Sequence, residues 1–267
     1  MKTFRIIGTA LMSVLMCASF TACSNDDDGS SGDDSGNKSG KKLTKIVSTS
    51  PNYNETYTFS YDSDGNLSSA KCESLYIDEE YGNETTVENY QFIWGDDVIK
   101  VKKEEKQQYG EDHKWEDKEE YMIYLRDGLV QFSDKDETYS YNSSKKFFKG
   151  EDEFYTTTAI WNGDKLMAVE STEDGGEGAN LTYKTSCQNG YFPFISSIID
   201  FGCEILFMAH PEIAGMETKQ LPASQETFNN MHEEEYSYIT LTYEFDEDGY
   251  ISKVKADGNN AFTLTWE

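Results

Sequence analysis

Hydrophobic and polar residues alternate along most of this chain, and short Asp/Asn/Gly turns punctuate the alternation. Tyr57, Phe59 and Tyr61 fall on one side of a run whose other side carries Thr58, Ser60 and Asp62. The turn Ser63-Asp64-Gly65-Asn66 follows, and Leu67 opens a return run. The unit recurs at Tyr90, Phe92 and Trp94 before Gly95-Asp96-Asp97, and at Tyr121, Ile123 and Leu125 before Arg126-Asp127-Gly128. Further copies lie at Ile160-Trp161 before Asn162-Gly163-Asp164 and at Leu241, Tyr243 and Phe245 before Asp246-Glu247-Asp248-Gly249-Tyr250, while Phe262, Leu264 and Trp266 mark a last run. Period-two alternation rich in aromatic and β-branched residues predicts strands. Gly after Asp or Asn supplies the positive φ of a tight hairpin. The pattern therefore predicts a meander of antiparallel hairpins. The charged stretch from Lys102 to Glu120 reads as a long hairpin arm, because no apolar stripe supports a helix there.

One stretch breaks the alternation. Between Phe194 and Ala209, Ile195, Ile198, Ile199, Cys203, Leu206 and Met208 follow helical rather than strand spacing, with Pro193 before and Pro211 after. This predicts one helix, apolar nearly all round and so buried against the sheet, although Gly202 costs it about 1 kcal/mol relative to Ala. The expected fold is mainly β: a curled antiparallel meander, half-barrel or roll-like, covered by one apolar helix near residues 194–209.

The N-terminus follows other rules. Lys2 and Arg5 precede an apolar run from Ile6 to Met16, and Phe20-Thr21-Ala22 lead into Cys23. The run is shorter than the roughly 20 residues a spanning helix needs, and the order of basic start, apolar core and small residues describes a secretory signal. With its cysteine at the cut site it resembles a bacterial lipoprotein signal, although Phe20 stands where such signals usually carry Leu. That resemblance implies cleavage after Ala22 and lipid attachment at Cys23. The acidic triplet Asp26, Asp27, Asp28 resembles the tag by which Bacteroidetes send lipoproteins to the cell surface; the alternative is a solvating linker. Residues 23–42 read as a lipidated cysteine and a disordered acidic Ser/Gly/Asp linker, its ends roughly 20–25 Å apart as a flexible coil. Residues 43–267 read as a single β-rich domain.

Composition narrows the partners. The formal net charge is −27, and loss of residues 1–22 removes Lys2 and Arg5 but no acid, moving it to −29. Such a surface repels phosphates and excludes nucleic acid as a partner. Three cysteines remain in the domain, Cys72, Cys187 and Cys203, without Cys-x-x-Cys spacing; they read as buried thiols.

Candidate chemistry is sparse. His113, His210 and His232 lie too far apart in sequence to share a helical turn, and His232-Glu-Glu-Glu-Tyr236 fails the zinc-protease pattern; each reads as an exposed or loop histidine. Asp62 with Asp64, and Asp246 with Asp248, each place two carboxylates before a glycine, as calcium loops do, but supply too few oxygens. The competing reading is a turn using Asp and Gly for backbone reasons. No nucleophile elbow and no phosphate loop occurs, and no cofactor is implied. Among the aromatics, the strand-spaced triplets belong to a core face. Tyr109, Trp115, Tyr139 and Tyr141 sit among polar residues and are the candidates for ligand contact.

The C-terminal third carries a family resemblance. The apolar helix is followed by Gly215-Met216-Glu217-Thr218-Lys219-Gln220-Leu221-Pro222-Ala223-Ser224 and later by Tyr243-Glu244-Phe245-Asp246-Glu247-Asp248-Gly249-Tyr250. These elements resemble the Bacteroidetes lipoprotein family carrying domain of unknown function 4595, with Gln220 in place of that family's usual Asn. The resemblance implies a secreted β-rich domain with no assigned activity. The expectation is a surface-tethered lipoprotein of unknown biochemical function, a non-enzymatic binding or interaction domain for a glycan or protein ligand, anchored to the outer membrane by its lipid, with the periplasmic face as the alternative location; the alternative functions are a glycan-binding accessory protein in polysaccharide capture and a hydrolase using paired carboxylates.

Overall fold

The computed structural model describes residues 40–77, 82–110, 113–172, 176–229 and 237–267. Its strands are β1 (Leu43–Thr49), β2 (Tyr53–Tyr61), β3 (Leu67–Tyr76), β4 (Glu84–Trp94), β5 (Val98–Tyr109), β6 (His113–Arg126), β7 (Leu129–Ser133) and β8 (Thr138–Tyr141). They continue as β9 (Phe147–Glu151), β10 (Thr156–Asn162), β11 (Lys165–Ser171), β12 (Glu177–Ser186), β13 (Gln220–Asn229), β14 (Ser237–Phe245), β15 (Ile251–Ala256) and β16 (Asn259–Trp266). Each pairs with its sequence neighbour, and β1 closes on β16 in antiparallel register through Leu43↔Trp266, Ile46↔Leu264 and Ser48↔Phe262.

The sheet is thus a closed barrel, which corrects the half-barrel or roll expected from the sequence. Alternation reports which face of a strand is buried; it carries no signal for whether the first and last strands meet. Closure gives each of those edges a partner, so neither is left with an unpaired ladder.

The covering helix is corrected as well. The connection from β12 to β13 forms two short helices, α1 (Ile195–Ile199) and α2 (Glu204–Ala209), followed by a 3₁₀ turn at Pro211–Ala214. Asp200 ends α1 in the left-handed region (φ 48°, ψ 52°), and Gly202 (φ 82°) turns the chain again. A barrel of about eight strands is filled by its own side chains, whereas one of sixteen leaves a lumen. Here the connection fills it: Phe192, Phe194, Ile195, Ile198, Ile199, Phe201, Leu206 and Phe207 are all buried in one cluster with the inward faces of the strands. Phe194 packs on Phe262 (centroids 4.4 Å apart) and Phe201 on Tyr139 (5.1 Å). Gly150 in β9 admits the Phe201 ring, which a β-carbon would meet at 2.5 Å.

The two rims differ. At one, the near rim, lie the turns at 62–66, 95–97, 127–128, 142–146, 163–164 and 246–250, and the plug enters. There Asp62 Oδ1 accepts the backbone N–H groups of Asp64 and Asn66 (both 2.9 Å), and Asp246 Oδ1 accepts those of Asp248 (3.0 Å) and Tyr250 (2.8 Å). Aromatic side chains close this rim by donating to the carbonyl of the first apolar residue of the strand before: Tyr61 Oη to Leu43, Trp94 Nε1 to Leu67 and Trp266 Nε1 to Ile251, all at 2.8 Å. Each ring buries its body while its polar tip finds a partner. The chain preceding the barrel joins here too. Lys42 exchanges backbone hydrogen bonds with Glu267, and Lys41 Nζ pairs with Asp246 (3.2 Å) and Asp248 (2.7 Å).

The outer wall carries Lys–Glu pairs, among them Lys71–Glu73, Lys118–Glu104 (both 2.7 Å) and Lys253–Glu244 (2.9 Å). Such pairs add little stability where water surrounds them. No helix among the described residues is long and apolar enough to cross a membrane. Cys72, Cys187 and Cys203 are buried free thiols.

Candidate functional site

The inward face changes character from rim to rim. Near the tight turns it is apolar and sealed: Leu67, Ile99, Phe147, Leu166 and Ile251 are fully buried. Towards the far rim the same face turns polar while staying buried, with Ser48 at 2%, Glu55 at 5%, Ser133 at 4%, Glu137 at 6% and Thr157 at 1% exposed. The plug stops at this boundary and presents Cys203 and Glu204 to it. The result is a buried polar layer on the inward faces of β1 to β10, called the chamber below.

Each polar group is placed by strand parity. Tyr53, Glu55, Tyr57 and Phe59 share the inward side of β2; Cys72 in β3 sits opposite Tyr57, and Glu88 in β4 opposite Cys72. Glu88 faces Glu105 in β5, and Tyr90 faces Lys103, in a ladder without bulges. Tyr53 Oη donates to Glu55 Oε1 (2.8 Å), while Cys72 Sγ approaches the same oxygen at 3.7 Å. Glu137 accepts from Ser133 Oγ (2.9 Å) and Tyr139 Oη (3.1 Å). Lys103 Nζ reaches Glu88 (2.5 Å) and Glu105 (2.8 Å) and stands 5.7 Å from the centre of the Tyr90 ring. Burial alone would lower its pKa; the two glutamates outweigh burial and hold it at about 12.

Two carboxylates lack such compensation. Burial raises the pKa of Glu55, against the hydrogen bond from Tyr53. Burial pushes Glu204 up to about 8, and Asp200, Glu55 and Glu88 add to the rise. Ser197 lies close enough to Glu204 to favour its charged form, yet Ser197 Oγ, Glu204 Oε1 and Glu55 Oε2 are buried without completing a hydrogen bond. A raised folded-state carboxyl pKa is a stability cost at high pH: the contribution is complete below the ordinary value near 4.5 and is lost as pH rises through about 8. A hydrolytic pair needs environments that push two carboxyls apart; here burial pushes both the same way.

Beyond the chamber, β5 and β6 continue as an arm. Gln107, Tyr109, His113 and Trp115 have the parity of Lys103 and Tyr121, so the chamber's lining extends onto the arm's inner face. Gln107, Tyr109, His113, Lys114 and Trp115 line an open depression of about 300 Å³, with Trp115 half exposed.

Sequence candidates are thus partly brought together. Tyr109 and Trp115 share the arm depression. Tyr139 is 6% exposed, edge-on to Phe147, Phe201 and Phe207, and belongs to the core. Tyr141 is half-buried at the near rim and donates to Val130 O (2.6 Å). The carboxylates Asp62, Asp64, Asp246 and Asp248 belong to two separate near-rim turns, where Asp62 and Asp246 hold backbone amides and Asp246 and Asp248 hold Lys41. Among the described residues no group of three or more His, Cys, Asp or Glu side chains is placed to hold a metal. His210, expected to be exposed or in a loop, lies in the connection between α2 and the 3₁₀ turn but is buried: its Nε2 accepts from Leu67 N (3.1 Å) and its Nδ1 pairs with Glu212 (2.7 Å). Cys23, Asp26, Asp27, Asp28 and His232 lie outside the described residues.

Sequence reasoning missed the chamber, although a signal was present. Glu55-Thr56-Tyr57, Glu88-Asn89-Tyr90 and Glu137-Thr138-Tyr139 each place a glutamate two residues before a tyrosine in an alternating run, on the aromatic face.

No protein-family model matches the chain, and no curated protein sequence matches it. Among solved structures it is similar to a porin-like protein from Bacteroides vulgatus ATCC 8482, with 10% identity and a TM-score of 0.41 over 85% of this chain and 99% of that one.

Proposed function

We propose that this chain is a non-enzymatic binding lipoprotein of the outer cell surface, a member of the Bacteroidetes family carrying domain of unknown function 4595. Cys23 carries the lipid, and Asp26, Asp27 and Asp28 direct export. The observation that carries the reading is polarity along the barrel axis. The chain that leads back to Cys23 joins the near rim, while the arm with its depression and the polar layer lie toward the far rim, turned away from the tether. A barrel that crosses a bilayer needs an apolar outer band, and each Lys at mid-depth costs about 2–4 kcal/mol; the Lys–Glu pairs of this outer wall favour a water-borne barrel held by its anchor. Lipid is then the only attachment, so Cys23→Ala should move the protein from the membrane fraction to the soluble one. A variant that stays with membranes would contradict the anchor.

Glycan is the favoured ligand class. Tyr109 and Trp115 offer flat apolar faces beside the hydrogen-bonding groups of Gln107 and His113 in an open depression, the combination that polar but partly apolar ligands need. Affinity electrophoresis of the full chain through gels containing xylan, mannan, mixed-linkage glucan or galactan tests this. Retardation by at least one of them is expected, with Trp115→Ala weakening it about fivefold or more, since an aromatic anchor is worth about 1 kcal/mol or above. Free passage through all four gels, or equal retardation of Trp115→Ala, would remove glycan from the account.

A further inference from the structure

The inner end of the polar chamber holds charge that the fold does not use. Glu55 from β2 and Glu204 from α2 lie near enough there for the charge of Glu55 to act on Glu204, and Ser197 from α1 lies beside Glu204. Glu55 is 95% buried by its 5% exposure, and its Oε2, Glu204 Oε1 and Ser197 Oγ all lie buried without a hydrogen bond. Buried polar atoms in folded proteins normally have partners, so two carboxylate oxygens and a hydroxyl left incomplete in one region point to something that arrives from outside. The chamber itself displays what it accepts. Lys103, the chain's own ammonium, sits between Glu88 and Glu105 and over the Tyr90 ring. Those two glutamates are thereby satisfied, while among the described residues no lysine or arginine forms an ion pair with Glu55 or Glu204. An ammonium carries three N–H donors and no acceptor, which matches two carboxylate oxygens and a hydroxyl. Tyr53, Tyr57 and Tyr90 line the approach, and aromatic faces attract alkylammonium groups. Access runs along the inner face of β4 and β5, where the side chains of Glu88, Lys103 and Glu105 are between a fifth and a quarter exposed.

We propose that Glu55, Glu204 and Ser197 form a binding site for an alkylammonium group, carried either by a free polyamine or by a lysine side chain of a partner. The site goes beyond the glycan reading of the arm and stands or falls without it.

Binding is linked to protons. The groups acting most strongly on Glu204 are Ser197, Asp200, Glu55 and Glu88, with Tyr57 also in reach; those acting most strongly on Glu55 are Tyr53, Tyr57, Cys72 and Glu88. None of these is a cation, so both carboxyls hold protons more tightly than usual until an ammonium enters. Its arrival favours the charged forms and expels protons, and affinity rises with pH up to about 8, the Glu204 value.

Titration calorimetry of the full chain in about 0.15 M salt, where bulk charge is screened, tests the site. The probes are spermidine and an acetylated, amidated Gly-Lys-Gly peptide, with 1,8-octanediol as the uncharged control. The expected result is saturable one-to-one binding of at least one amine, none of the diol, and heat that depends on buffer ionisation because protons are released. Spermidine alone binding assigns the free amine; the peptide binding assigns a lysine side chain. Glu204→Gln and Glu55→Gln, each read beside a melting curve that establishes folding, should weaken binding tenfold or more. Absence of saturable binding by both amines would overturn the site. So would equal affinity in a folded Glu204→Gln or Glu55→Gln, which would leave only attraction to net negative charge. Should neither variant fold, the parent decides: binding without proton release contradicts the proposal.

Discussion

Ile199→Asp is expected to abolish folding or lower the melting temperature by about 10 °C. Ile199 is 1% exposed at the end of α1, inside the closed barrel, and the variant would bury a carboxylate with no cation beside it. An unpaired buried charge costs several kcal/mol, a large share of the roughly 5–15 kcal/mol that holds a domain together. For a domain of this size each kcal/mol moves the midpoint by about 2–4 °C. A thermal melt of the full chain by far-UV circular dichroism reads it directly. Were the plug a loosely held insert, the same substitution would leave the melt within about a degree of the parent and would improve solubility instead, because it would remove an exposed apolar residue.

Gly202→Val should cost comparably, for a different reason. Gly202 has φ 82°, and a β-carbon there would stand 2.0 Å from Tyr139 Oη and 2.7 Å from the Phe207 ring. The left-handed backbone costs a side chain about 1–2 kcal/mol, a β-branched one is a true outlier there, and forcing it into filled space adds about 1–3 kcal/mol. The hydroxyl of Tyr139 would have to leave Glu137, so the chamber wall is disturbed with the core. Gly163→Ala is the control. Gly163 also has positive φ (61°), but nothing lies within 4 Å of its added carbon, so it should show the backbone cost alone. Chemical denaturation of both variants separates strain from crowding; equal losses would show that the plug does not press on Tyr139.

Much of the sheet was legible because strand geometry writes itself into sequence. Tyr57 and Phe59 alternate with Thr58 and Ser60 because one side meets the core and the other water. The Asp-to-Gly turns announce hairpins because Asp62 and Asp246 cap their own backbone and Gly65 and Gly249 adopt positive φ. Closure was not legible: Leu43 and Trp266 pair across the whole length of the chain, and nothing local to either encodes the other. The broken helix was half legible. Gly202 signalled a weakness, but the second break at Asp200 depends on a non-glycine residue held in a left-handed conformation by its surroundings, which no local preference predicts. Within the site, Tyr109 and Trp115 stood out because they are aromatic among polar neighbours. Tyr139 and Tyr141 met the same criterion, yet Tyr139 is buried and Tyr141 half-buried, because a four-residue strand such as β8 is too short to show its period. The glutamates of the chamber were hidden among fifty acidic residues. What distinguishes Glu55 is only its place on an aromatic face, and that place matters once the barrel is closed.

The central claim is that residues 192–216 are the core of the barrel rather than an appendage to it. Native-state hydrogen exchange, followed by mass spectrometry on the full chain, tests it most directly. The amides of Ile198, Phe207 and His210 are hydrogen-bonded within the plug, to Phe194, Cys203 and Leu206, and they are sealed by the strands around them. They should exchange as slowly as β1 and β16, through global unfolding only. Exchange of this segment within seconds, while the strands remain protected for hours, would contradict the account.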